Sequence, residues 1–318
     1  MEKIQKASII ALKDYLGLDT KERLLVLADE GKREIGLALF EAGNALCDEA
    51  LYLEMRPREL NGEEPPQAVA DIMKSVDVVI CPTSKSITHT NARRQAAQNG
   101  VRVATMPGIT LDTLVRCLSA DYSKIIELSE RVALKMEKTS VVRICTKNGT
   151  DVTLPIRDRK VISSTGVLRK IGDSGNLPSG EVYVAPIEGQ SNGTIVFDGS
   201  VAGLGLLKDP IVVEVVNGYI ANIDGKSDSQ RFSDMLRKVN HKEAYAVAEF
   251  GMGTNYKARL CGEILEDEKV LGTVHVAFGN NISMGGKIGV NSHIDGLIKK
   301  PDVYFDDQLV MQYGKLLI

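Results

Sequence analysis

Hydrophobic and polar positions change their period along this chain. Over the first ~120 residues, short apolar runs alternate with amphipathic stretches. Residues 23–29 (RLLVLAD) read as a buried strand, 32–46 as an amphipathic helix and 50–55 as a second strand. A helix over 65–75 follows, and its paired prolines suit a first turn, where a missing N–H costs nothing. Residues 76–81 (VDVVIC) form a short buried strand, 90–99 a helix closed by Gly100, and 101–106 another strand. Strands spaced by helices of this length build βαβ units on a parallel sheet. The expected first domain, residues 1–125, is therefore α/β: a small parallel sheet of about four strands with flanking helices.

The texture then changes. Residues 123–138 predict a charged amphipathic helix placed to bridge two domains. Beyond it come short strand-like runs at 140–146, 151–155, 181–186, 193–201, 211–216, 219–223, 244–250 and 272–278. Most of the 29 glycines lie in this half, between those runs. Residues 229–239 are its clearest helix. The pattern predicts a strand-rich α+β domain over 126–318.

Composition narrows the function classes. At 318 residues, two domains are expected. The formal net charge is −3, from 39 basic and 42 acidic residues, which argues against a nucleic-acid partner. Hydrophobic residues at 43% and charged residues at 25% exclude a disordered chain. No apolar run reaches the ~18 residues of a membrane span, and residues 1–15 lack the apolar core of a signal peptide. Cys47, Cys81, Cys117, Cys145 and Cys261 are scattered and form no CxxC, so neither a disulfide framework nor a thiolate zinc site is expected, and a cytoplasmic setting fits. Any imidazole metal site must draw on His89, His241, His275 and His293.

Four segments of the second half set ionisable residues beside glycine: Glu181 in NLPSGEVYVAP, Glu249 in AEFGMGTN, His275 in GTVHVAFGNN, and His293 with Asp295 in NSHIDG. If His293-Ile294-Asp295 is extended, its imidazole and carboxylate share one face, as two ligands of one metal require. The bland alternative is a surface turn. His275 sits in an apolar run, where it is either a core histidine bonded to backbone or a ligand at a strand end. Glu181 and Glu249 also lie in apolar runs. Burying such a charge is expensive, so each must meet a cation, whether Arg, Lys or a metal. Together the five make a set of hard and borderline donors that suits one metal, or two metals joined by a carboxylate and water.

These segments, in this order, resemble the M29 metallopeptidases, the thermophilic aminopeptidases T and S, over about residues 170–300. The resemblance implies a cytoplasmic, homodimeric hydrolase that removes N-terminal residues from small peptides. It implies two divalent ions (Zn, Co, Mn or Mg) held by Glu181, Glu249, His275, His293 and Asp295. Glu249 would bridge them, Glu181 and Glu249 would carry the catalytic work, and a metal-bound water would attack the peptide carbonyl. Two positions depart from that family: Ile282 stands where it has a catalytic Tyr, and Val270 where it has a further Glu, with Glu268 only nearby. A related branch resembles 2,5-dihydroxypyridine 5,6-dioxygenase, a ring-cleaving enzyme that holds a single Fe(II) by two His and one Asp. His275, His293 and Asp295 match that set, and Glu181 and Glu249 would then support substrate or ligands. A non-catalytic metal-binding relative is the third class.

Other features are less specific. Gly203-Leu204-Gly205 lacks the spacing of a dinucleotide fingerprint and reads as a turn. The polar stretch 85–94, with His89, follows a strand and reads as a helix N-terminus capped by Thr90 or Asn91. His241 reads as a solvated helix end, and Lys287 as a surface residue. Tyr256 and Arg259 follow Glu249 closely enough to anchor substrate. Cys261 has no basic partner besides His275, so a Cys–His nucleophile is not expected.

Overall fold

The structure is a computed structural model describing residues 2–318. Its contacts divide the chain into two units. One comprises the chain up to Tyr122 with Gly166–Ser179, the other Ser123–Thr165 with Gly180–Ile318.

The first unit is built on a five-stranded parallel sheet in the order Glu49–Met55, Arg23–Asp29, Val78–Thr83, Arg102–Pro107, Ser174–Asn176. Arg23–Asp29 is buried at all but its first position, because it lies inside the sheet. Helices Arg33–Asn44, Gln67–Met73 and Asn91–Gln98 alternate with the strands, as the apolar spacing predicts. Two helical regions went unread: Glu2–Ile9, which continues as a π-helical stretch over Ile10–Tyr15, and Leu111–Leu118. The four-strand expectation also needs correction. Ser174–Asn176 adds a fifth strand from beyond the expected boundary at residue 125. Asn176 Oδ1 accepts from Thr105 Oγ1 at 2.6 Å, and Leu177 N donates to Thr105 O at 3.0 Å. Its Ser-Gly-Asn sequence has no apolar alternation to reveal it.

The second unit opens within helix Tyr122–Met136 and is built on two antiparallel sheets, with helix Ser227–Val239 and the short helix Ile264–Asp267 besides. One has eight strands in the order Tyr219–Gly225, Ile211–Val216, Asn192–Phe197, Asp151–Pro155, Val141–Cys145, Asp302–Phe305, Gln308–Gln312, Lys315–Leu316. The other has seven, in the order Gly205–Leu206, Ser200–Val201, His293–Lys299, Thr273–Gly279, Val247–Gly253, Glu181–Val184, Val161–Ser164. The single strand expected over 193–201 is two. At Asp198-Gly199 the chain leaves one sheet for the other, and both amides donate to Leu297 O. Likewise 244–250 divides into a 3-10 turn, Lys242–Tyr245, and a strand, Val247–Gly253.

The two sheets share one core. Val142, Ile144, Val152, Leu154, Ile195 and Val213 come from the larger sheet, and Val182, Phe250, Met252, Val274, Val276 and Ile298 from the smaller. Phe197, Phe232 and Phe278 meet there at ring-centroid distances of 6.1 to 6.2 Å. Only one face of the seven-stranded sheet is needed for this core, and that leaves its other face for polar work. Among the described residues, no helix is long and apolar enough to cross a membrane.

Candidate metal centre

Register brings the five sequence-named residues to that second face. Paired residues of neighbouring antiparallel strands point the same way. The pairs are Glu181 with Gly253, His275 with Gly251, Glu249 with Ala277, Ala277 with Asp295, and Gly279 with His293. His293 and Asp295 alternate with Ile294, which faces the core. Residues 293–295 are therefore extended, the condition on which their shared role depended. Glycine supplies the space. A Cβ at Gly251 would lie 2.0 Å from His275 Nε2, so the ring lies over a position that must have no side chain.

The donor atoms form two groups, Glu181–Glu268–His275 and Glu249–His293–Asp295, each with ligand atoms within 4.8 Å of one another. Glu249 joins them. Its Oε1 is 3.2 Å from His275 Nε2, and its Oε2 is 3.2 Å from His293 Nε2. Asp295 Oδ1 lies 3.3 Å from His293 Nε2, and Glu181 Oε2 3.8 Å from His275 Nε2. All but His293 and Glu268 are buried.

This arrangement fits a cation. His293 Nδ1–H donates to Asn280 O at 2.7 Å. In the neutral ring, Nε2 then carries a lone pair that faces two carboxylates, an arrangement stable only with a proton or a metal ion between them. Glu181 Oε2 and Asp295 Oδ1 are buried without a hydrogen-bond partner. Buried carboxylate oxygens left bare in this way are what a metal ion would satisfy.

The titration behaviour agrees. Burial alone would lower the pKa of His275, but its hydrogen bond to Glu249 and the charges of Glu249, Glu181 and Asp295 together outweigh that and push it up to about 9. His293 is also raised well above its ordinary value, by Asp295 and Glu249 against its burial. Burial would raise Glu249, yet the two imidazoles hold it well below the usual carboxylate range. Without a metal, protons on the histidines are the counter-charge. Burial raises Glu181 despite Lys269, and pushes Glu268 up to about 8.

Two participants escaped the sequence reading. Lys269 is fully buried, and its Nζ donates to Glu181 Oε1 at 2.9 Å and to Glu268 Oε1. Glu181 thus meets a lysine, one of the cations its burial demanded. Asn280, in the loop after the His275 strand, orients His293 through its carbonyl, while its Nδ2 donates to Val290 O at 2.8 Å. The run LEDEKV signals a charged turn before the His275 strand, but nothing in it marks Lys269 as buried.

The lesser candidates have ordinary places. Thr90 caps Asn91–Gln98, accepting from Arg93 N. His89 is exposed in the first unit. His241 Nδ1 accepts from Glu243 N and caps the 3-10 turn. Gly203 and Leu204 lie in a turn that leads into the strand Gly205–Leu206, with positive φ at both glycines. Lys287 is exposed, and its backbone N donates to Glu188 Oε1. Tyr256 is exposed, with Lys257 Nζ 5.8 Å from its ring centroid, and Arg259 N donates to Glu266 Oε1. Partial desolvation of its sulfur, with the carboxylates of Asp267 and Glu266 nearby, pushes the thiol of the exposed Cys261 up to about 12, which leaves it protonated and a poor nucleophile. Ile282 is exposed and offers no donor, and Val270 offers no carboxylate.

The family described as NicX, 2,5-dihydroxypyridine 5,6-dioxygenase, matches residues 54–318. A 2,5-dihydroxypyridine 5,6-dioxygenase of Pseudomonas putida is 24% identical over 259 residues, spanning 77% of this chain and 72% of the relative. The solved 2,5-dihydroxypyridine dioxygenase of Pseudomonas putida KT2440 superposes with a TM-score of 0.84 at 18% identity, over 99% of this chain and 96% of that one. AmpT from Thermus thermophilus superposes with a TM-score of 0.73 at 16% identity, over 100% and 99%. At these identities, the superpositions speak to the fold: a parallel α/β unit joined to antiparallel, strand-rich sheets.

Proposed function

This chain belongs to the NicX family of 2,5-dihydroxypyridine 5,6-dioxygenase, and from that premise we propose that it is a metal-dependent dioxygenase opening a hydroxylated, pyridine-type aromatic ring. One observation carries the reading. His293 Nε2 faces Glu249 and Asp295 with its other nitrogen committed to Asn280, and His275 meets the far oxygen of Glu249. His275, His293 and Asp295 would hold the ion, a two-imidazole, one-carboxylate set suited to ferrous iron. Bound there, iron supplies the redox chemistry that lets dioxygen react with a closed-shell ring. The chain's own residues prepare the place. Asn280 fixes which nitrogen of His293 is bare, Gly251 makes room for the His275 ring, and Glu249 sets both imidazoles by one carboxylate. A dioxygenase puts both oxygen atoms into product, so the reaction balances without an external reductant.

The test is oxygen uptake by the full chain reconstituted with Fe(II) and given 2,5-dihydroxypyridine. One mole of oxygen per mole of substrate, with loss of the aromatic absorbance, is expected. The second reading, a metallo-aminopeptidase, draws support from Glu249, whose two oxygens each meet one imidazole, as in a carboxylate bridging two ions, and from the fold shared with AmpT. Oxygen-independent release of N-terminal residues from aminoacyl substrates with zinc, cobalt or manganese would move the assignment there.

A further inference from the structure

Lys269 is the feature of this centre that neither reading uses. Its side chain is completely buried, so its charge cannot reach water along the aliphatic stem. The backbone fixes its position. Lys269 N donates to Glu266 O at 2.9 Å, and Asn255 N donates to Lys269 O at 2.8 Å. A Cβ at Gly253 would lie 2.7 Å from Lys269 C and 2.2 Å from Val270 O, so this stretch is seated on the bare glycine beside Glu181. The ammonium therefore arrives at Glu181 and Glu268 by construction of the fold. Those two carboxylates are also the ones that, with His275, would have to hold a second ion.

We propose that Lys269 is the resident second cation of this centre: its ammonium stands in for a divalent ion beside Glu181 and Glu268, and the chain binds one exchangeable metal ion, at His275, His293 and Asp295 with Glu249 alongside. The charge count agrees. Glu181, Glu249, Glu268 and Asp295 bring four carboxylates to the centre. One ammonium and one divalent ion bring three positive charges against those four and keep the centre one charge negative, whereas two divalent ions beside the ammonium would bring five and reverse its sign. An ion seated on Glu181 and Glu268 would also sit within a few ångströms of a cation that has no route of retreat. The inference rests on the metal-centre reading and sharpens it, because one ion suits the ring-opening chemistry and two suit the peptidase.

The experiment counts ions. Full-length protein is stripped with chelator, desalted and titrated with Mn(II) alone, followed by calorimetry, elemental analysis and electron paramagnetic resonance. The unaltered chain should take one equivalent, with the spectrum of an isolated ion. Lys269→Met, which keeps the volume and removes the charge, should take two, with the spectrum of an exchange-coupled pair. Lys269→Arg should return to one. Two equivalents in the unaltered chain overturn the proposal, as does a folded Lys269→Met that still saturates at one. If Lys269→Met does not fold, the count on the unaltered chain decides alone. Zero equivalents there would be a different failure, removing the metal centre itself and this inference with it.

Discussion

Gly251→Ala tests the construction of the centre with a single methyl group. Gly251 has no positive φ, so alanine fits its backbone, and in most strands the change would be harmless. Here the new Cβ would fall 2.0 Å from His275 Nε2, 2.3 Å from Cε1 and 2.9 Å from Cδ2. Restoring an ordinary contact requires the ring to retreat by about 1.4 Å, many times the ~0.2 Å within which metal–ligand distances hold. The retreat breaks the 3.2 Å bond to Glu249. Overpacking costs ~1–3 kcal/mol and a hydrogen bond to a charged group ~1.5–3 kcal/mol. Because the two losses share one displacement, about 2–4 kcal/mol in total is expected. For a unit of this size, that lowers the melting transition by about 5–15 °C in scanning calorimetry. Metal affinity, measured by titration of the stripped protein, should fall ~10–100-fold. Affinity within threefold of the unaltered protein, with the melting transition unmoved, would refute the claim that the bare glycine positions the imidazole.

Gly296→Ala is the companion on the apolar face. Its Cβ would lie 2.4 Å from the Phe197 ring, so it should destabilise by ~1–3 kcal/mol in denaturant unfolding yet leave metal affinity within about threefold. Glu249→Ala removes the carboxylate that both imidazoles face. Metal titration should then show a ~10–100-fold loss, and proton NMR should show His275 neutral at pH 7. In the metal-free protein, His275 titrates at about 9, above the ordinary 6.5 of an unfolded chain. Its stabilising contribution is therefore complete below pH 6.5 and lost as pH rises to about 9. Calorimetry should show a lower melting temperature at pH 9 than at pH 6, a difference that His275→Gln reduces, the remainder coming from His293 and Glu268, whose values are raised in the same direction. Metal must displace the same proton, so affinity should rise with pH across that window.

The parts of this molecule legible in its sequence share one property: a local pattern states them. RLLVLAD marks an interior strand because five consecutive residues, Leu24 to Ala28, are apolar, and it spans Arg23–Asp29 as expected. Glu249 and His275 stood out because charge in an apolar run demands a partner. Of the two readings of His275, the core histidine bonded to backbone fails: the ring is fully buried in a strand, but its Nδ1 has no hydrogen-bond partner among the described residues and its Nε2 faces the Glu249 carboxylate. What stayed hidden depends on distant segments. Ser174–Asn176 is a strand only because Arg102–Pro107 lies beside it. Lys269 is buried only because Gly253 and Asn255 receive its backbone. The three short strands of the C-terminal hairpins interrupt their alternation with turn residues such as Asp306, at positive φ. The condition placed on His293-Ile294-Asp295, that it be extended, was itself a tertiary fact, met by pairing with the His275 strand.

The return of Gly166–Ser179 to the parallel sheet means that the order of synthesis differs from the order of assembly. A nascent chain that has reached residue 125 carries four of the five strands. Arg102–Pro107 then stands at the edge, with its backbone donors and acceptors unpaired on one side and a sequence destined for burial at five of its six positions. The closing strand lies some fifty residues downstream, roughly 3–10 s of translation at ~5–20 residues per second. By then the ribosome has already delivered helix Tyr122–Met136 and the Val141–Cys145 and Asp151–Pro155 hairpin of the second unit. The older part of the protein is finished by a later segment, so the first unit cannot close until residue 179 has been made, and a fragment cut at the sequence boundary would keep an adhesive edge for good.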